Sequence, residues 1–123
     1  MKEFDRLVEV VAALRKKCPW DKEQNHATLK PYMLEEVHEA IEAIDNKDYE
    51  LLSEELGDML LHILMHAEMA REKGHFKIQD VIKNITNKMM RRHPHVFGKG
   101  RAKTVAGVLR RWKQIKREEK RGH

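Results

Sequence analysis

Residues 33–44, MLEEVHEAIEAI, and residues 52–63, LSEELGDMLLHI, each combine an apolar repeat at helical spacing with a cluster of acids. Together they predict a helical hairpin. At about 100° per residue, Met33, Val37, Ala40, Ile41 and Ile44 line one stripe, with Glu36 about 80° from its centre. Leu52, Leu56, Met59, Leu60 and Ile63 form the second stripe, with Glu55 about 90° off it and Asp58 further round. If the two stripes pack together, Glu36, Glu39, Glu55 and Asp58 converge along one edge of the contact. Carboxylates gathered in this way repel and raise one another's pKa unless a cation neutralises them, and all-oxygen ligation suits magnesium, manganese or calcium rather than zinc. Glu is also a good helix former and the chain is 37% charged, so one acidic pair alone reads as solvated surface. Two at matching offsets point to a split carboxylate metal site.

Length and composition limit the rest. A chain of 123 residues with 41% apolar content makes one domain spanning 1–123. Three Pro, six Gly and long stretches of Leu, Glu, Lys, Ala and Met predict an all-α protein. No apolar run approaches the roughly 20 residues of a membrane span, and the start MKEFDRLVEV carries acids where a secretion signal would be apolar. The expectation is a cytoplasmic protein. A lone cysteine, Cys18, forms no internal disulfide and fits a reducing compartment.

The periodicity predicts about five helices. The first covers about residues 3–17, and CPWDKEQNHA at 18–27 interrupts the pattern. Thr28 then caps a helix to about Asn46, with Pro31 in its first turn. A third runs from about Tyr49 to Lys73 and ends at Gly74, and a fourth spans about Ile78 to His93, stopped by Pro94. HVFGKGRAK reads as a loop before a fifth helix that starts at Thr104. The basic stretch of about 116–123 reads as a frayed tail.

Charge is uneven. From Lys99 to His123 the chain carries ten Lys or Arg against two Glu, a net +8, which leaves −3 for the remainder of a chain whose total is +5. That segment lacks aromatic interleaving and any groove-reading motif, so it does not point to nucleic acid. Lys88 and Arg92 are four apart in KMMRRHPHVFG and share a helix face, which suits phosphate oxygens.

These residues resemble the MazG-type nucleoside triphosphate pyrophosphohydrolases over nearly the whole chain. The resemblance is carried by CPWDKEQ at 18–24, LKPYMLEEVHEA at 29–40, EELGDMLLHI at 54–63 and RRHPHVFG at 91–98. It implies a helical bundle with a four-helix core completed by dimerisation, as a homodimer or higher even oligomer. It also implies magnesium-dependent cleavage of nucleoside triphosphates to monophosphate and pyrophosphate, with manganese as a substitute ion. Glu36, Glu39, Glu55 and Asp58 fall on the family's metal ligands, and Glu35 on a candidate base that orients or deprotonates water. Lys88 and Arg92 fall on phosphate-binding positions. Trp20 sits in the family's loop motif near the nucleotide, though Asp21 and Gln24 also make a plausible helix-start pair. Trp112 resembles a tryptophan of the family's last helix, implying a substrate-binding position; because it lies on that helix's apolar stripe, packing is preferred to stacking on a base.

Many relatives carry two such domains in tandem, and this chain looks like the first. Some second domains place a Lys four residues before the ExxD Glu, where this chain has Leu51. The competing reading is therefore a catalytically weak helical module that dimerises or senses nucleotides. His62, four residues after Asp58, reads as a boundary histidine or a group behind the metal ligands. Glu35-x-x-His38 and Glu72-x-x-His75 have di-iron spacing, but Glu72 falls at a helix end and is poorly placed for it.

Overall fold

The computed structural model describes residues 1–122, which form helices and connections with no strand among them. The chain divides into two compact units, Met1–Ile78 and Gln79–His123.

The first unit holds α1 (Lys2–Lys17), α2 (Pro19–Glu23), α3 (His26–Asp45) and α4 (Tyr49–Glu72). Its core is Val11 of α1, Leu29 of α3, and Leu64, Met65 and Met69 of α4, flanked by Phe4, Leu7, Val8, Leu61 and Ile78. Arg15 ties three of these helices together. Its guanidinium grips Glu72 at the end of α4 through Nε at 3.0 Å and Nη2 at 2.8 Å, and Nη1 donates to the carbonyls of Asp21 and Gln24. A fork of donors shared between a carboxylate and the carbonyls of Asp21, Lys22 and Gln24 fixes the α1–α3 connection and the short helix within it that carries Trp20.

The segment 18–27, expected as an interruption, contains the one-turn helix α2, too short to leave a periodic signal. Gln24 ends that helix, with Nε2 donating to the Trp20 carbonyl at 3.0 Å. Asn25 rather than Thr28 caps α3. Thr28 N–H donates to Asn25 Oδ1 at 2.9 Å and Asn25 N–H donates to Thr28 Oγ1 at 2.8 Å, a reciprocal box that satisfies two end donors. Because α3 starts at His26, Pro31 falls in its second turn, where it can give no hydrogen bond to Ala27. Asp48 caps α4 by accepting from Leu51 N–H at 3.1 Å. Only Asn46, Lys47 and Asp48 separate α3 from α4, so the two helices run antiparallel.

The hairpin does not pack on the most apolar stripes. On α3 the buried positions are Leu29, Ala40 and Ala43, with Met33 and Glu36 half-buried between them. Those residues recur at spacings of three and four, so Glu36 lies within the packed seam and not beside it. On α4 the seam runs through Leu52, Glu55, Met59, His62, His66 and Met69, and Glu55 is buried. Val37, Ile41, Ile44, Leu56, Leu60 and Ile63 are instead 36% to 55% exposed. Small Ala40 and Ala43 let the helices approach closely, which the larger side chains one position further round would prevent.

The second unit holds nearly all of α5 (Ile78–Arg92), then α6 (Pro94–Phe97) and α7 (Val105–Arg121). Thr104 caps α7 as expected, with Gly107 N–H donating to its Oγ1 at 3.1 Å. The stretch expected as a loop contains α6, and Gly100 folds back on it: its N–H donates to the Pro94 carbonyl at 3.0 Å, and a Cβ there would sit 2.9 Å from Pro94. Residues 116–121 continue α7 as helix, so Glu119 has a fixed place.

Candidate functional site

The seam described above carries acids where a hairpin would ordinarily carry leucine. Glu36 and Glu39 project from α3 and Glu55 from α4, and one carboxylate oxygen from each lies within 4.8 Å of the others. Glu36 Oε2 and Glu55 Oε2 are buried with no hydrogen-bond partner in the protein. An unpaired buried carboxylate oxygen is costly, and two facing each other are costlier. All three carboxyls are pushed above the ordinary range. Burial is the main cause for Glu36; the hydrogen bond with Glu55 acts the other way, and the charges of Asp58 and Glu39 add to the rise. For Glu39 it is the hydrogen bond its protonated form gives to Glu55, and for Glu55 the one its protonated form gives to Glu36. Three acids that would rather share protons than ionise together are an oxygen donor set that could hold a divalent cation.

Asp58, expected as a fourth ligand, is exposed and stands outside the 4.8 Å trio, though its charge acts on both Glu36 and Glu55. Glu35, the expected base, is exposed on α3 and acts on Glu39 through charge. His62 is half-buried with Nδ1 unpartnered, one turn after Asp58.

Aromatic and imidazole groups flank the amino end of α3. Trp20 of α2 meets Tyr32 of α3 edge to face, with ring centroids 5.6 Å apart, and both rings are exposed. His26 stacks on His66 of α4 at 4.9 Å, their Nδ1 atoms 2.6 Å apart, and His66 Nε2 lies 2.9 Å from Met33 Sδ. This imidazole pair was not anticipated from the sequence, where its members stand forty residues apart.

The expected phosphate groups lie in the second unit. Lys88 and Arg92 are both half-buried on α5. Arg92 is engaged on two sides: its guanidinium carbon sits 5.1 Å from the Trp112 ring centroid, and Nη2 donates to Glu119 Oε1 at 3.0 Å. Trp112 thus packs against Arg92 and takes the edge of His93 at 5.1 Å. Arg91 pairs with the other oxygen of Glu119. Glu119 was missed from sequence because it is one of two adjacent acids in a run of basic residues, which gives no signal of a distant partner.

Residues 24–97 match the MazG nucleotide pyrophosphohydrolase domain. The chain is 46% identical to the nucleoside triphosphate pyrophosphohydrolase/pyrophosphatase MazG of Thermotoga maritima, over 95% of this chain and 45% of that protein. It is also 46% identical to the nucleoside triphosphate pyrophosphohydrolase of Escherichia coli K12, over 98% of this chain and 47% of that protein. With YabN of Bacillus subtilis the identity is 48%, over 96% of this chain and 24% of that protein. The chain thus spans about a quarter to a half of these curated relatives. The crystal structure of a MazG-related protein from Thermotoga maritima superposes with a TM-score of 0.78 at 28% identity, covering 92% of this chain and 98% of that one.

Proposed function

This chain belongs to the MazG nucleotide pyrophosphohydrolase family, and on that footing we propose that it hydrolyses nucleoside triphosphates to nucleoside monophosphate and pyrophosphate, using magnesium. The observation that carries the reading is the Glu36–Glu39–Glu55 trio, with two buried carboxylate oxygens that no protein donor meets. That donor set fits a hard divalent cation, magnesium first and manganese as a substitute.

When bound, the ion would supply Lewis-acid stabilisation of charge on the phosphate oxygens. Glu36, Glu39 and Glu55 would hold it, with Asp58 adding negative charge from the exposed side. In the proposed step a water adds across the α–β phosphoanhydride: its oxygen bonds to phosphorus, the bridging P–O bond breaks, and Glu35 takes the water's proton. Lys88 and Arg92 carry cationic groups suited to the pyrophosphate oxygens. Trp20, exposed and braced by Tyr32, offers a face on which a base can stack. The proposed setting is the cytoplasm.

A homodimer or a higher even oligomer belongs to the same proposal. Val37, Ile41 and Ile44 follow seam residues Glu36, Ala40 and Ala43 by one position, and Leu56, Leu60 and Ile63 follow Glu55, Met59 and His62 likewise. In antiparallel helices that common offset puts both sets on one flank of the hairpin, whereas Glu39 and Asp58 turn to the other. An apolar flank of this extent, beside a carboxylate flank, supports burial against a second copy.

The test is incubation with each nucleoside triphosphate and magnesium, followed by separation of products. Monophosphate and pyrophosphate in equal amounts support the reading. Binding without turnover would overturn it in favour of a nucleotide-binding module.

A further inference from the structure

Glu119 is a single acid that satisfies two arginines at once. Its Oε1 accepts from Arg92 Nη2 at 3.0 Å and its Oε2 accepts from Arg91 Nε, so each oxygen serves one guanidinium. The contact is sheltered, with the Arg92 and Glu119 side chains 14% and 19% exposed. Arg92 is further fixed over Trp112, and His93 is anchored beside it with Nδ1 2.7 Å from the Met89 carbonyl. Arg92 Nε is buried and has no partner. The cluster therefore presents oriented guanidinium donors, with Arg92 Nε left unpartnered, around a two-oxygen anion supplied by the chain itself. A carboxylate held this way by two arginines copies the contacts that two oxygens of a phosphate would make. Glu119 also lies outside the span that matches the family, so the domain match assigns it no role.

We infer that Glu119 is an internal competitor for the Arg91–Arg92 site, a carboxylate that a phosphate group must displace to bind there, and that it thereby sets the affinity for phosphorylated ligands. The inference rests on the proposed reading of Arg92 as a phosphate-binding residue. Glu119 acts by occupancy and touches no reacting atom.

The experiment measures pyrophosphate binding by calorimetry, without added metal and at low ionic strength, for the unaltered protein, Glu119→Gln, Arg92→Ala and the double variant. Circular dichroism confirms the helix content of each. Removing one charge-assisted competitor should tighten binding by about five- to tenfold in Glu119→Gln. Arg92→Ala should weaken it, and in that background Glu119→Gln should gain less than about twofold, since coupled residues do not add. The KM for nucleoside triphosphate should fall in Glu119→Gln with kcat little changed. Unchanged or weaker binding in Glu119→Gln, with Arg92→Ala still weakened, would overturn the competitor and make Glu119 a residue that merely orients the arginines. If Arg92→Ala binds pyrophosphate as well as the unaltered protein, the phosphate-site reading fails first and the competitor with it.

Discussion

Glu36 and Glu55 face each other across the α3–α4 seam, each with one buried carboxylate oxygen that no donor of the protein meets. The packing of the hairpin thus opposes its own electrostatics at one point. Without a cation the repulsion falls on the folded state alone, because the unfolded chain separates the two groups.

Glu36→Gln should therefore separate stability from activity. The amide has nearly the same shape and carries no charge, so the metal-free variant should melt a few degrees higher than the unaltered protein at neutral pH. Magnesium-dependent turnover should be lost, because a ligand charge is gone. Thermal melts with chelator present, beside activity assays, check both halves. A variant as active as the parent would refute the ligand assignment.

Arg92→Ala tests the second unit. Loss of an oriented guanidinium should raise KM or lower kcat by at least about tenfold, roughly 1.4 kcal/mol of transition-state stabilisation. Neutralising Lys120 and Arg121, exposed at the end of α7, should change either constant by less than about twofold and vanish in high salt. Steady-state kinetics at two ionic strengths make the comparison.

Ile41→Asp tests assembly. Ile41 is 48% exposed at the middle of the apolar flank, so a charge there costs a lone protomer little and a buried interface much. Light scattering at micromolar concentration should report an even oligomer for the parent and a monomer for the variant. A parent that scatters as a monomer contradicts the proposed interface.

His66 supplies a pH dependence. Burial first, then the charges of His26 and His62, hold its imidazole below the ordinary value. A base with a depressed folded pKa stays neutral in the fold while the unfolded chain takes up the proton, so stability is lost as pH falls below about 6.5. The loss stops once pH passes the depressed folded value, and the group contributes nothing above about pH 7.5. Denaturant midpoints at pH 7.5 and 5.5 should differ more for the parent than for His66→Gln; equal differences would remove His66 as the cause.

The sequence carried the helix class and the extents of α1, α4 and α5 plainly, because each is a long amphipathic repeat with polar ends. It misdirected the reading of the α3–α4 face. Val37, Ile41 and Ile44 make the stronger apolar stripe, yet the seam follows Ala40 and Ala43, since close approach selects small side chains. The acids were legible as a group, but not their depth: Glu36 and Glu55 lie within the seam and Asp58 outside the trio. α2 and α6 were not legible because four or five residues hold no period. The His26–His66 and Arg91–Glu119 pairings join residues far apart in sequence, where spacing carries no information.

A divalent cation held by the Glu36–Glu39–Glu55 trio is what the proposed hydrolysis depends on most. Manganese binding followed by electron paramagnetic resonance, with magnesium as competitor, tests it without reference to turnover. Saturable binding that magnesium displaces is expected, together with its loss in Glu55→Gln while the helical circular dichroism spectrum is retained. Manganese bound equally well by folded Glu55→Gln would contradict it.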